Sequence, residues 1–173
     1  MIRSRTWRRT MVGTVVGADV VILLVAAAEL PSFVPYAAGA LLLGTLWALA
    51  RPGGWGAFTL LVLQVLAAGV PGGVPESVVH WALAAAAGSA VILTHLALTL
   101  LGSWPVRADL PRETAVRWAG QAAALVWSAI GAALLGALAT SATPLGWAPW
   151  VGAVALALIA GTVWQLRANT RKP

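Results

Sequence analysis

Cysteine is absent from the 173 residues. That excludes disulfides, thiolate metal centres, iron–sulfur clusters and cysteine nucleophiles. Charge is scarce as well: 9% of residues are Asp, Glu, Lys or Arg, against about 25% in soluble domains. Five residues are acidic, one is tyrosine and two are phenylalanine. No stretch is polar enough to form a water-exposed domain. The net charge of +6 therefore has no soluble surface on which to hold nucleic acid. No phosphate-binding loop, His-Glu-x-x-His pattern or zinc-ligand spacing occurs. Ser89 and His95 are six residues apart on one apolar segment, so they point to different helix faces and form no catalytic dyad. The chain carries no catalytic motif, and neither enzymatic activity nor a cofactor is expected.

What is present is hydrocarbon. Apolar residues make up 60% of the chain, and mean hydropathy is +0.87. Runs of nearly 20 apolar residues recur, each long enough at about 1.5 Å per residue to cross a bilayer core of roughly 30 Å. Proline and glycine punctuate them at "PSFVP" (31–35), "RPGGWG" (51–56), "PGGVPE" (71–76) and "TSATPLG" (140–146). The pattern predicts an all-α polytopic integral membrane protein, a single domain of six helices in a compact bundle. The expected spans are 11–30, 36–50, 57–70, 77–101, 114–139 and 147–166, with the main polar loop at 102–117. No repeat divides the chain. The echo of "GTLWAL" (44–49) in "GTVWQL" (161–166) is read as convergent helix-end chemistry.

Charge placement sets the span count. The second and third spans are short enough to form one re-entrant hairpin, but Arg51 between them belongs at an aqueous interface. With six spans, all ten arginines and the one lysine fall on one side. This is the positive-inside pattern, which places both ends of the sequence in the cytoplasm. Most tryptophans fall near expected helix ends, where the indole sits half in the headgroup zone. Trp127 alone lies mid-helix. The segment "MIRSRTWRRT" resembles the basic start of a signal peptide, and Ala26–Ala28 resembles a cleavage site. The apolar run is longer than signal peptides use and contains Asp19, so an uncleaved first span is expected. Arginine-rich, alanine-rich composition suggests a bacterial source and hence the inner (cell) membrane.

Few polar groups lie at membrane depth: Asp19, Gln64, His95, Gln121 and scattered Ser and Thr. With straight, centred helices, His95 and Gln121 fall roughly 9 Å to the cytoplasmic side of the midplane and Asp19 about 2 Å to that side. An intramembrane polar cluster of Asp19, His95 and Gln121 is expected. It would act as an interhelical clamp or, in the alternative, as a proton or cation relay. A second cluster, Glu29, Glu76 and His80, is expected at the outer rim. It is read as solvated rim chemistry in preference to a divalent-metal site. Gly120, Ala124, Ser128, Ala132 and Gly136 place a small residue at every fourth position of the fifth span and predict a helix-packing stripe. The loop "RADLPRETAVRW" (107–118) is read as a solvated cap that also meets anionic lipid headgroups.

The resulting expectation is an accessory or structural subunit of a membrane assembly. Its partners would be the lipid bilayer, anionic headgroups at the cytoplasmic face, and other membrane subunits or further copies of itself. The alternative is a small transporter or a membrane-embedded substrate-binding subunit.

Overall fold

The computed structural model describes residues 1–72 and 75–141. Helix α1 covers Ser4–Glu29, α2 Val34–Ala50, α3 Trp55–Gly72, α4 Val78–Ser103 and α5 Arg112–Ser141. A single 3-10 turn, Pro31–Phe33, precedes α2. No strand forms among the described residues. Their one extended contact is an isolated bridge between Ile2 and Leu110. Among the described residues, five helices are long and apolar enough to cross a membrane. The expected sixth span, 147–166, lies outside the described residues.

The helices run on past their apolar cores, for local reasons. Helix α1 begins seven residues before the expected 11, within the arginine-rich segment. Its first free N–H, on Ser4, donates to Asp109 Oδ1 at 2.8 Å, so an acid far away in sequence caps the positive helix end. Pro35 lies in the first turn of α2, where its missing N–H costs nothing. Ser77 caps α4 by accepting the His80 N–H at 3.2 Å.

Buried positions follow helical periodicity. They are Trp7, Met11, Val15, Ala18, Ile22 and Val25 on α1, and Ala87, Ala90, Thr94, Ala97 and Leu101 on α4. These two stripes face each other and form the most extensive helix pair. Helices α2 and α3 pack as a hairpin, α3 also contacts α1 and α4, and α5 leans on α4. The outward faces are apolar too: Val12, Val16, Val20 and Leu24 on α1, and Leu42, Leu43 and Leu46 on α2, are all exposed. Hydroxyls outside the core bond their own helix. Thr14 donates to the Thr10 carbonyl, Thr99 to His95 and Ser128 to Ala124, the usual solution where lipid offers no partner.

All the arginine-bearing segments described meet at one end of the bundle. The loop after α4 crosses under α1: Ile2 and Leu110 exchange backbone hydrogen bonds at 2.8 and 2.9 Å, and the Trp7 indole donates to the Ala108 carbonyl at 3.2 Å. Leu110 is buried while Arg107, Asp109, Arg112 and Glu113 stay exposed, so the loop keeps the solvated charges expected of it and is in addition strapped to α1. A recess of about 620 Å³ beside it is bordered by Arg8, Arg51, Pro52, Gly53, Gly102 and Trp104. The turn before α3 passes so close to the end of α4 that a Cβ on Gly102 would stand 3.0 Å from the Gly53 nitrogen.

Among the described residues, the five small residues of the α5 stripe do not all face α4. A four-residue step advances 400° around the helix, 40° beyond a full turn, so the four steps from Gly120 to Gly136 wind away from their starting face. Gly120 has no heavy atom within 4 Å of a Cβ position, whereas Gly136 lies against the Trp81 ring, where a Cβ would approach to 2.5 Å. The face that meets α4 instead runs through Trp118, whose indole donates to the Leu96 carbonyl at 3.3 Å, and through the buried Ala122 and Ala137. Trp127 points away, 70% exposed. Gly136→Ala must push the Trp81 indole off its hydrogen bond to Thr140 Oγ1 and is expected to cost about 1–3 kcal/mol. Gly120→Ala is expected to be neutral or stabilising by up to about 1 kcal/mol. Thermal unfolding of both variants in detergent checks the difference.

Candidate functional site

Asp19 lies on the buried stripe of α1 and is 8% exposed. Three other helices each direct one polar side chain toward it. Thr45 on α2 donates its hydroxyl to Asp19 Oδ2. Gln64 on α3 donates its amide to Asp19 Oδ1 at 2.8 Å and to Thr94 Oγ1 on α4 at 3.0 Å. Gln64 and Thr94 are fully buried and Thr45 is 6% exposed. Both carboxylate oxygens and both amide hydrogens are therefore engaged, and Gln64 Oε1 is left without a partner. Each residue continues the buried spacing of its helix: Leu41, Thr45 and Ala48 on α2; Gly56, Leu60, Gln64 and Ala67 on α3; Ala90, Thr94 and Ala97 on α4. Burying a polar group without a partner is costly, so these four residues hold four helices at one height and one rotation.

The expected partners of Asp19 are elsewhere. His95 is exposed, because the next residue after Thr94 is turned 100° away from the core face. Gln121 is half-buried on α5, a helix that packs chiefly on α4. Depth along a helix axis brought these residues together on paper, but rotation about the axis separates them. Gln64 was the better candidate by depth, within about 1 Å of the centre of its expected span. Thr45 and Thr94 carry no signal of their own beyond falling in phase with buried alanines.

At the end opposite the arginines, the second expected cluster forms in part. His80 Nε2 lies 3.6 Å from Glu29 Oε1, while Glu76 is exposed on the approach to α4. No group of three His, Asp or Glu side chains able to hold a metal ion occurs among the described residues. Glu29 and His80 instead stand at the mouth of a cleft of about 490 Å³ between α3 and α4, floored by Val25 of α1. Its walls include Val65 and Ala68 on α3 and Leu83, Ala87 and Val91 on α4. A second apolar cleft, about 340 Å³, lies between α4 and α5 beside Trp81 and Ala133. The Asp19 network borders neither cleft, nor the recess at the arginine end.

The described residues thus form an all-helical unit with membrane-compatible helices, an enclosed polar lock and an open apolar cleft. Comparison with protein-family models, with curated proteins and with solved structures finds no match.

The lock makes a quantitative prediction. Asp19→Leu strands the Gln64 amide and is expected to lower stability by about 1–3 kcal/mol. Asp19→Asn retains an acceptor for Gln64 and is expected to cost less. A double-mutant cycle of Asp19→Leu with Gln64→Leu should return a coupling of about 0.6–1.7 kcal/mol. Zero coupling, measured by unfolding in detergent, would contradict the lock.

Proposed function

We propose that this chain is a six-span protein of a bacterial cell membrane, with both ends of the sequence cytoplasmic, serving as an accessory or structural subunit of a membrane assembly. The observation that carries the reading is the closed Asp19–Thr45–Gln64–Thr94 network. Polar groups at membrane depth that bond only one another lock helices and line no path for a substrate or ion. Lipid-exposed apolar faces on every helix, above all on α5, offer area for neighbouring subunits. The orientation follows from charge: the described arginines gather at one end, while Glu29 and Glu76 occupy the other.

The cleft between α3 and α4 favours a second reading, a membrane-embedded binding subunit or small transporter. A concave, mostly apolar site with a few polar groups at its mouth is the usual form of a small-molecule pocket. The site of this second reading is the Glu29–His80 cleft and not a cluster of Asp19, His95 and Gln121.

Two measurements test these readings. Single cysteines replacing Thr10, Arg51, Arg107 and Thr170 are expected to label only from the cytoplasm, and those replacing Ser32, Ser77 and Ser141 only from outside. Outside labelling at position 51 would overturn the six-span topology. Mild detergent extraction is expected to co-purify a defined set of membrane proteins, equally for the wild type and Asp19→Asn. Loss of activity in a fully folded, fully assembled Asp19→Asn protein would instead favour a relay.

A further inference from the structure

The cleft between α3 and α4 exists because its facing residues are small. Ala68, Gly69 and Gly72 on α3 stand opposite Ala84, Ala87 and Gly88 on α4. A Cβ placed on Gly69 or Gly88 would meet no heavy atom within 4 Å. The two helices are in contact elsewhere, yet here they leave about 490 Å³ between them, inside the range of about 300–1,000 Å³ that small-molecule sites occupy. From His80 down to Ile92 the α4 wall runs about 18 Å, enough for an extended alkyl chain. Val65 on the opposite wall is 56% exposed, so the cleft opens sideways on the same face that meets hydrocarbon.

The mouth is electrostatically one-sided. Helix α1 ends at Glu29 and α3 ends at Gly72, and neither has a basic residue in its last turn. Both bring the negative end of a helix dipole to the mouth. The start of α4 at Val78 offsets this in part, and Ser77 already caps it. Glu29 adds a full carboxylate at a helix end that disfavours one. No Lys or Arg lies at this end among the described residues. The nearest nitrogen is His80 Nε2 at 3.6 Å, too long for a good hydrogen bond, on a side chain 41% exposed. Among the described residues, then, no Lys or Arg answers the Glu29 carboxylate, and an apolar slot lies directly beneath it.

We propose that this cleft binds a single-chain ammonium amphiphile, with the alkyl chain between α3 and α4 and the ammonium group against Glu29. The proposal rests on the binding-subunit reading. A neutral or anionic amphiphile of the same length lacks the contact with Glu29, and a bare ammonium ion lacks the chain contacts.

The test uses the full chain in phosphatidylcholine nanodiscs, titrated with dodecyltrimethylammonium and followed by calorimetry. Dodecyl maltoside and tetramethylammonium serve as chain-only and head-only probes. Saturable binding of one dodecyltrimethylammonium per chain is expected, with neither control competing at equal concentration. Glu29→Gln should weaken binding about tenfold or more. His80→Ala should tighten it by freeing the carboxylate, and Gly88→Leu should abolish it at an unchanged melting temperature. If Gly88→Leu fails to fold, Gly69→Leu fills the same space from the other wall. Saturable binding that is indifferent to Glu29→Gln, or equal for dodecyl maltoside, overturns the ammonium assignment and leaves the binding-subunit reading standing. Absence of saturable binding by every probe overturns both.

Discussion

A carboxylate in the middle of an apolar helix needs hydrogen-bond donors, and hydrocarbon supplies none. Asp19 obtains them from Thr45 and Gln64, and Gln64 reaches on to Thr94. The rest of the described structure is consistent with that requirement. Four helices must be near enough for three short side chains and one amide to touch, which calls for small residues at the contacts: Val15 and Ala18 on α1, Gly44 on α2, Gly56 on α3, and Ala87, Ala90 and Ala97 on α4. Each helix must also present its polar residue inward, which sets the rotation of all four. In lipid no hydrophobic force draws helices together, so directional bonds and close packing specify the arrangement. The surface apolar residues of this chain contribute nothing to that choice, because facing lipid or facing another helix is nearly equivalent for them.

The two ends of the bundle then differ in kind. At the arginine end the strap at 104–111 ties the start of α1 down through backbone, Asp109 and Ala108. At the other end small residues on α3 and α4 leave a space between them unfilled. A lock at the centre, a strapped end and an open cleft give the described helices a fixed frame. Such a frame is compatible with a structural subunit, and it gives a binding subunit the fixed walls that a recognition site needs.

Much was legible before any coordinates. Long apolar runs separated by proline and glycine marked five of the five described helices, because the thickness of a bilayer and the loss of an N–H at proline act locally. Boundaries moved outward where tertiary contacts extended a helix, as at Ser4, whose cap comes from Asp109. Asp19 was identifiable as unusual from its position alone. Its partners were not: His95 and Gln121 have suitable chemistry and comparable depth, yet face other directions. The small stripe on α5 likewise looked continuous in sequence but winds around the helix, so among the described residues Gly136 closes on Trp81 while Gly120 meets nothing.

Composition and spacing alone pointed to helices long and apolar enough to cross a membrane and to the helical class of the described residues, since each is a property of local sequence. Only the tertiary structure decided which polar groups meet. Two residues at one depth touch only if both helices are rotated toward each other, and rotation is set jointly by every neighbour. It also decided that Glu29 and His80 would stand over a cavity, because an empty space is a relation between two helices and belongs to neither sequence segment.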